Sequence, residues 1–191
     1  MAQTPGEDVP SNPLRTIRIE KVTINIATGK SGEPLEKAKK VLNQLTNRTP
    51  TTKKAKKAIK DFGVRKGEPI AAVVTLRGED AGEFLKRALE AVSNKVGESN
   101  FDDYGNLSFG IKEHIEIPGT KYVPELGIFG MTVHVTLGRP GFRIRRRSIR
   151  PAKIGHNHYV SRVEAVQFMA DNFETKVKEY SVNPFAGAKN E

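Results

Sequence analysis

Residues 131–137 read Met-Thr-Val-His-Val-Thr-Leu, apolar and polar in unbroken alternation, and this pattern limits the fold more than any other in the chain. Successive side chains of a strand point to opposite faces. Met131, Val133, Val135 and Leu137 therefore share one face, and Thr132, His134 and Thr136 share the other. Three more stretches behave alike. In 17–28, Val22, Ile24 and Ile26 oppose Thr23, Asn25 and Ala27; in 69–77, Ile70, Ala72, Val74 and Leu76 oppose Ala71, Val73 and Thr75. In 106–111, Leu107, Phe109 and Ile111 oppose Asn106, Ser108 and Gly110. Ile17 and Ile19 are out of phase with their own stretch, so either that strand starts near Lys21 or a bulge resets it.

Between these stretches the apolar period changes to that of a helix. Pro34 suits a first helical position. Leu35, Ala38, Val41, Leu42 and Leu45 then recur at helical spacing to about Thr46. A second helix is expected from Asp80 to about Lys95, with Phe84, Leu85, Ala88, Leu89 and Val92 buried and Asp80 and Glu83 in the relation of a capping box. Residues 98–105 read as loop. Ser161 and Glu164 cap a last helix through Phe173, with Val163, Val166, Met169 (or Ala170) and Phe173 inward. Residues 49–56 are ambiguous: the threonines argue strand, the Lys/Ala run argues helix. Strand is preferred because 69–77 needs a partner. The resulting fold class is α+β, an antiparallel-rich sheet of about five strands with helices packed on one face, a split βαβ plan of the ferredoxin or RNA-recognition type. One domain is expected over 14–178. It follows a disordered leader at 1–13 and precedes a flexible tail at 179–191.

A sheet covered on one side leaves its second face for solvent or a partner. Here that face is Thr23, Asn25, Ala27, Val73, Thr75, Ser108, Thr132, His134 and Thr136. It is rich in short groups that donate and accept hydrogen bonds, and it lacks the aromatics on which RNA-recognition sheets stack bases. Such a face suits close docking on shaped, folded RNA. Charge supports this reading. Residues 37–68 carry eleven cationic and two anionic side chains, and 139–153 carry seven cationic and none anionic. The net charge is +10, so everything else sums to −6. Two basic arms on a mildly acidic body are the footprint of a phosphate-backbone binder. Lys53, Lys54, Lys56 and Lys57 in the first arm and Arg143, Arg145, Arg146 and Arg147 in the second are the candidate phosphate ligands. A basic loop at 57–67, flanked by glycines, carries Lys60, Phe62, Arg65 and Lys66.

Other chemistries find little support. With no cysteine, disulfides, thiolate nucleophiles and Cys-ligated zinc are excluded. Gly29-Lys30-Ser31 ends like a phosphate loop, but the first glycine of that motif would fall at Ile24, inside a strand. His156 and His158 have no third ligand nearby, and Asp102 and Asp103 read as loop residues. No metal, cofactor, catalytic residue or small-molecule substrate is expected. No run approaches the ~18 apolar residues of a spanning helix, so no membrane partner is expected either. Residues 1–13 lack the basic start and apolar segment of a signal peptide. The rival reading is a general nucleic-acid chaperone without preference for one RNA.

Several ordered blocks carry a resemblance. They are NPLR (12–15), IEKVTINIATGKSGE (19–33), KAKKVLNQLTNRTP (37–50), KAKKAIKDFGVRKGEPIAAVVTLRG (54–78), GNLSFGIKEH (105–114) and PELGIFGMTVHVTLGRPG (124–141). Over roughly 12–175 the chain resembles the family of universal large-subunit ribosomal protein five, in its archaeal and eukaryotic form (counted eleven in eukaryotes). The arginine-rich extension at 138–155 is similar to that form. The resemblance implies a non-catalytic, cytoplasmic ribosomal protein of the central protuberance. Its implied partners are 5S rRNA, large-subunit rRNA, P-site tRNA and a protein of the small-subunit head. It implies that 5S rRNA binds the sheet face and adjoining loops. Asn25 and Thr75 fall on family positions, and Asn47 or Arg48 stands where the bacterial family often has Gln. Thr23, Ser108, Thr132 and His134 share that face. The loop at 57–67 corresponds to the part that reaches tRNA.

Overall fold

A computed structural model gives the structure and describes residues 12–178. The elements run β1 (Arg18–Ala27), α1 (Glu33–Thr46), β2 (Thr51–Lys54), β3 (Pro69–Leu76), α2 (Glu79–Ala91), β4 (Lys95–Gly97), β5 (Leu107–Ile111), β6 (Met131–Gly138), α3 (Arg143–Arg146), α4 (Arg162–Phe173) and β7 (Lys176–Lys178). Five strands form one sheet in the order β2-β3-β1-β6-β5, every neighbouring pair antiparallel. The α+β expectation holds, with α1 packed on β3 and α2 on β1.

The alternation sets the register. Val22, Ile24, Ile26, Val133, Val135 and Leu107 are almost wholly buried, together with Leu42, Phe84, Leu85 and Leu89 from the two helices. Burying each such side chain stabilises the fold by roughly 1.5–3 kcal/mol, and a one-residue slip would turn a whole strand's set to water. The phase break in β1 is a bulge: the register with β6 shifts between Ile19 and Lys21, and Ile17 and Ile19 remain half-buried against the core. Residues 51–54 are a strand, as preferred.

Helix ends show how the chain turns. Gly32 sits at φ +93°, and its carbonyl accepts from the Leu35 and Glu36 amides to start α1. Asn47 closes α1 in the left-handed conformation, its amide donating to Asn43 O at 2.8 Å. The Asp80–Glu83 capping box is absent. The N-cap of α2 is Gly78, and Asp80 lies inside the helix, where its carboxylate pairs with Arg48. The capping box of Ser161 and Glu164 is present: Ser161 N donates to Glu164 Oε2 at 3.0 Å and Glu164 N to Ser161 Oγ at 3.4 Å.

Two expectations need correction. The second helix does not reach Lys95: it stops at Ala91, and Ser93 and Asn94 both take positive φ. The chain then enters β4, which pairs in parallel with β7. Val163 does not face inward but is 75% exposed, while Ala165 and Met169 are buried and Val166 and Phe173 half-buried. An i, i+3 series drifts around a helix of 3.6 residues per turn, so Val163 lies about 200° from Ala165. At the start of the described residues, Asn12 and Pro13 of the expected leader run into the first residues of the expected domain. Pro13–Arg15 form a 3-10 turn, and Asn12 Oδ1 accepts from Leu14 N. The rest of that leader (1–11) and the expected tail at 179–191 lie outside the described residues.

Candidate nucleic-acid interface

Register turns the predicted face into rows. Across β2, β3, β1, β6 and β5, one row runs Thr51, Val73, Asn25, Thr132 and Gly110. The next runs Thr75, Thr23, His134 and Ser108. Thr75, His134 and Ser108 are exposed; Thr23, Asn25 and Thr132 are half-buried by their neighbours. Ser108 Oγ and His134 Nδ1 share a hydrogen bond at 2.9 Å, which orients the ring at the β5 side. The structure therefore brings six predicted residues onto one open surface. None of these six is a Lys, Arg, Asp or Glu.

Cations stand at its margins. Lys53 is on the exposed edge strand β2 and lies in register with Ala71. Lys21 is opposite Thr136 on the same face. The short β2 stops at Thr51, paired to Val73, so β3 runs on past it for three residues. The notch so formed, about 550 Å³, is walled by Arg48, Lys53, Thr75 and Arg77. Lys21 and Arg77 were missed from sequence because each borders the alternation instead of lying within it. The phase break at Ile19 hid Lys21, and Arg77 lies just past the end of β3.

Asn47 and Arg48 are not on the face. Asn47 is the C-cap of α1, and its αL turn sends Arg48 across to Asp80, which ties the end of α1 to the start of α2. Arg48 thus reaches the notch already paired with a partly exposed carboxylate.

The two basic arms leave from opposite ends of the sheet. The 55–68 loop follows Lys54, which pairs with Pro69 at the Ala27 end of β1, whereas the extension follows Gly138, beside Arg18. The nine residue steps of β1 separate these ends by about 30 Å. The first arm has a folded tip. Ile59 and Val64 exchange backbone hydrogen bonds at 2.9 and 3.1 Å, and Phe62 at the turn is 75% exposed. Lys54, Lys56, Lys57, Lys60, Arg65 and Lys66 are all exposed. Glu68 fastens the stem by accepting from Arg65 N and Ser31 Oγ, bonds that hold its carboxyl below the usual carboxylate range.

The second arm is partly structural. Arg139 is buried, and its guanidinium pairs with Glu164 at 2.6 Å and donates to Asn157 O at 3.3 Å. Arg146 forks onto Glu20, with Nη2 to Oε2 at 2.7 Å. That hydrogen bond lowers the Glu20 pKa against the raising effect of burial. Arg147 Nε donates to Arg150 O. Arg143 and Arg145 have no side-chain partner among the described residues and are exposed. His158 Nε2 lies 2.9 Å from Pro140 O and serves the loop's own packing. Among the described residues no three His, Cys, Asp or Glu side chains are grouped to hold a metal ion, and no helix is long and apolar enough to cross a membrane.

Residues 12–65 match the family described as Ribosomal protein L5, and residues 69–168 match the ribosomal L5P family C-terminus. The chain is similar to the large ribosomal subunit protein uL5 of Sulfurisphaera tokodaii, with 52% identity over 169 residues, 88% of this chain and 96% of that protein. It is similar to the protein of the same name from Pyrobaculum aerophilum, at 52% identity over 84% of this chain and 89% of that one. A third, from Nitrosopumilus maritimus, is 46% identical over 87% of this chain and 96% of its own length.

Proposed function

The chain belongs to the ribosomal protein L5 family, a non-enzymatic constituent of the large subunit of cytoplasmic ribosomes, and from that premise we propose that its open sheet face docks on 5S rRNA. The observation that carries this reading is the one-sided sheet. Helices cover one face, and the other offers rows of uncharged donors and acceptors with cations only at its edges. Thr23, Asn25, Thr75, Ser108, Thr132 and His134 can meet ribose hydroxyls and phosphate oxygens closely, without leaving a charge buried and unpaired. Asn47 and Arg48 contribute at the margin, Arg48 from the notch beside β3. Lys53, Lys54, Lys56 and Lys57 at one end and Arg143, Arg145, Arg146 and Arg147 at the other reach large-subunit rRNA. The protein so anchors 5S rRNA in the central protuberance by phosphate contact and shape. The exposed tip with Lys60, Phe62, Arg65 and Lys66 contacts P-site tRNA. A protein of the small-subunit head is a further neighbour.

Binding of the purified protein to folded 5S rRNA against an equal mass of tRNA competitor, over a salt series, tests the docking. The 5S complex is expected to survive at salt that removes the competitor. If both complexes weaken along one slope, the chain is a general polyanion binder and the face carries no shape recognition. The loop has a separate test. Converting Arg65 and Lys66 to Gln is expected to leave affinity for isolated 5S rRNA nearly intact and to weaken P-site tRNA on assembled ribosomes. A steep fall in 5S affinity would instead assign the loop to rRNA.

A further inference from the structure

We propose that the cleft between the basic extension and the turn before β5 receives one unpaired nucleobase of a folded RNA, stacked on Tyr104 with Tyr159 meeting its edge and with the nucleotide's phosphates against Arg145 and Lys153. The inference rests on the RNA-binding reading above but concerns a surface at the end of the sheet.

The sheet face itself carries no Phe, Tyr or Trp among the described residues, yet such rings collect where β6 runs into the extension. Tyr104 and Tyr159 meet edge-on with centroids 5.6 Å apart, and Phe142 lies 5.8 Å from Tyr159. His156 stands 6.2 Å from the same tyrosine. Tyr104 is 59% exposed, so an aromatic surface that could have been buried is held out to solvent. Two confluent clefts, about 390 and 540 Å³, share Tyr104, Arg145, Ile154 and Tyr159 as walls. Both volumes fall within the roughly 300–1,000 Å³ of small-ligand sites. One cleft opens past Thr136, which continues the open face, so an RNA on that face passes the rings.

The rings are held in place before any ligand arrives. Asp102 ties the turn that carries Tyr104: its Oδ1 accepts from the Tyr104 and Asn106 amides at 2.9 and 2.7 Å. Gly105 follows at φ +74°, and a Cβ there would lie 2.8 Å from Val160 Cγ1. Only glycine lets this turn press so closely on the segment that presents Tyr159. On the other wall, Arg146 is locked to Glu20, and its neighbour Arg145 is left without a partner among the described residues. Among those residues Glu20, already neutralised by Arg146, is the one acid in either wall. Aromatic faces with unpaired cations beside them and no free carboxylate fit a nucleotide. The rings take the base whatever its identity, and the cations take the backbone.

The test uses the full chain and three short RNA hairpins. One carries a single bulged 2-aminopurine, one has an abasic residue in the bulge, and one is fully paired. The bulged hairpin is expected to bind about tenfold more tightly than the abasic one, with its 2-aminopurine fluorescence quenched. Tyr104→Leu should abolish both the preference and the quenching while leaving paired-hairpin affinity unchanged, and Tyr104→Phe should retain both. Equal binding of bulged and abasic hairpins would overturn the stacking site and leave the RNA-binding reading intact. Failure to bind any of the three would overturn both. Loss of paired-hairpin binding in Tyr104→Leu would mean that the ring serves the fold and would sink the proposal.

Discussion

Glu164→Ala is expected to lower the unfolding free energy by about 3 kcal/mol, because one carboxylate serves two unfinished structures. Through Oε2 it completes the capping box of α4, and through Oε1 it neutralises Arg139, which is only 7% exposed. Loss of a cap costs about 1 kcal/mol. Orphaning a buried cation costs about 3–5 kcal/mol, discounted here because Glu164 is itself partly exposed. Urea unfolding at neutral pH measures the sum. Glu164→Gln keeps an N3 side chain able to cap and an oxygen for Arg139, and should lie between wild type and Ala. Arg139→Met removes the cation and its desolvation together, and should be milder than Glu164→Ala. A change below about 0.5 kcal/mol in Glu164→Ala would mean that water already solvates Arg139. Acid gives a second reading. The Glu164 carboxyl is held below its ordinary value first by the Ser161 amide, with Arg139 adding to the effect against desolvation. Its contribution is therefore complete above the unfolded-state pKa and lost as pH falls through the lower folded value. Glu20, held down by Arg146, acts in the same direction. Stability of Glu164→Gln should fall less steeply than wild type over that acid window.

What could be read from sequence was whatever burial makes periodic. Val22, Ile24 and Ile26, or Leu107, Phe109 and Ile111, announce a strand because one side must be apolar throughout; the open face is then the remainder. The capping box at Ser161 was legible because it is local. Asp80 resembles the same motif but is diverted by Arg48, thirty-two residues away in sequence and adjacent in space. The β4–β7 ladder is only three residues long, with a single apolar residue in each strand (Val96 and Val177), so nothing local marks it. Arg139 looked like one more cation in a basic arm; only the approach of α4 makes it structural. The ring cluster joins positions 104, 142, 156 and 159, none distinctive alone, and it exists because β6 and the extension bring them together.

Asn25→Ala and Thr75→Ala should each weaken 5S rRNA binding by about 1–3 kcal/mol, or roughly 5- to 150-fold, by leaving a partner on the RNA unpaired in the docked surface. Both side chains stand on the face away from the core, so stability should change by less than about 0.5 kcal/mol, which thermal unfolding checks. Asn25 has Val73 on one side and Thr132 on the other, at the centre of its row. Thr75 lies one row along, beside Thr23, where β3 borders the notch with Lys53 and Arg77. The salt dependence separates these residues from the arms. An uncharged hydrogen-bonding group releases no counterions, so the slope of log affinity against log salt should be unchanged in both variants. Lys53→Gln with Lys54→Gln should lower it by about one for each phosphate that is no longer neutralised. If both alanine variants bind as tightly as wild type, the RNA site is not on this face. The arms, some 30 Å apart at its two ends, would then have to hold the RNA by charge alone. That arrangement would show full salt sensitivity and no preference for 5S rRNA over tRNA.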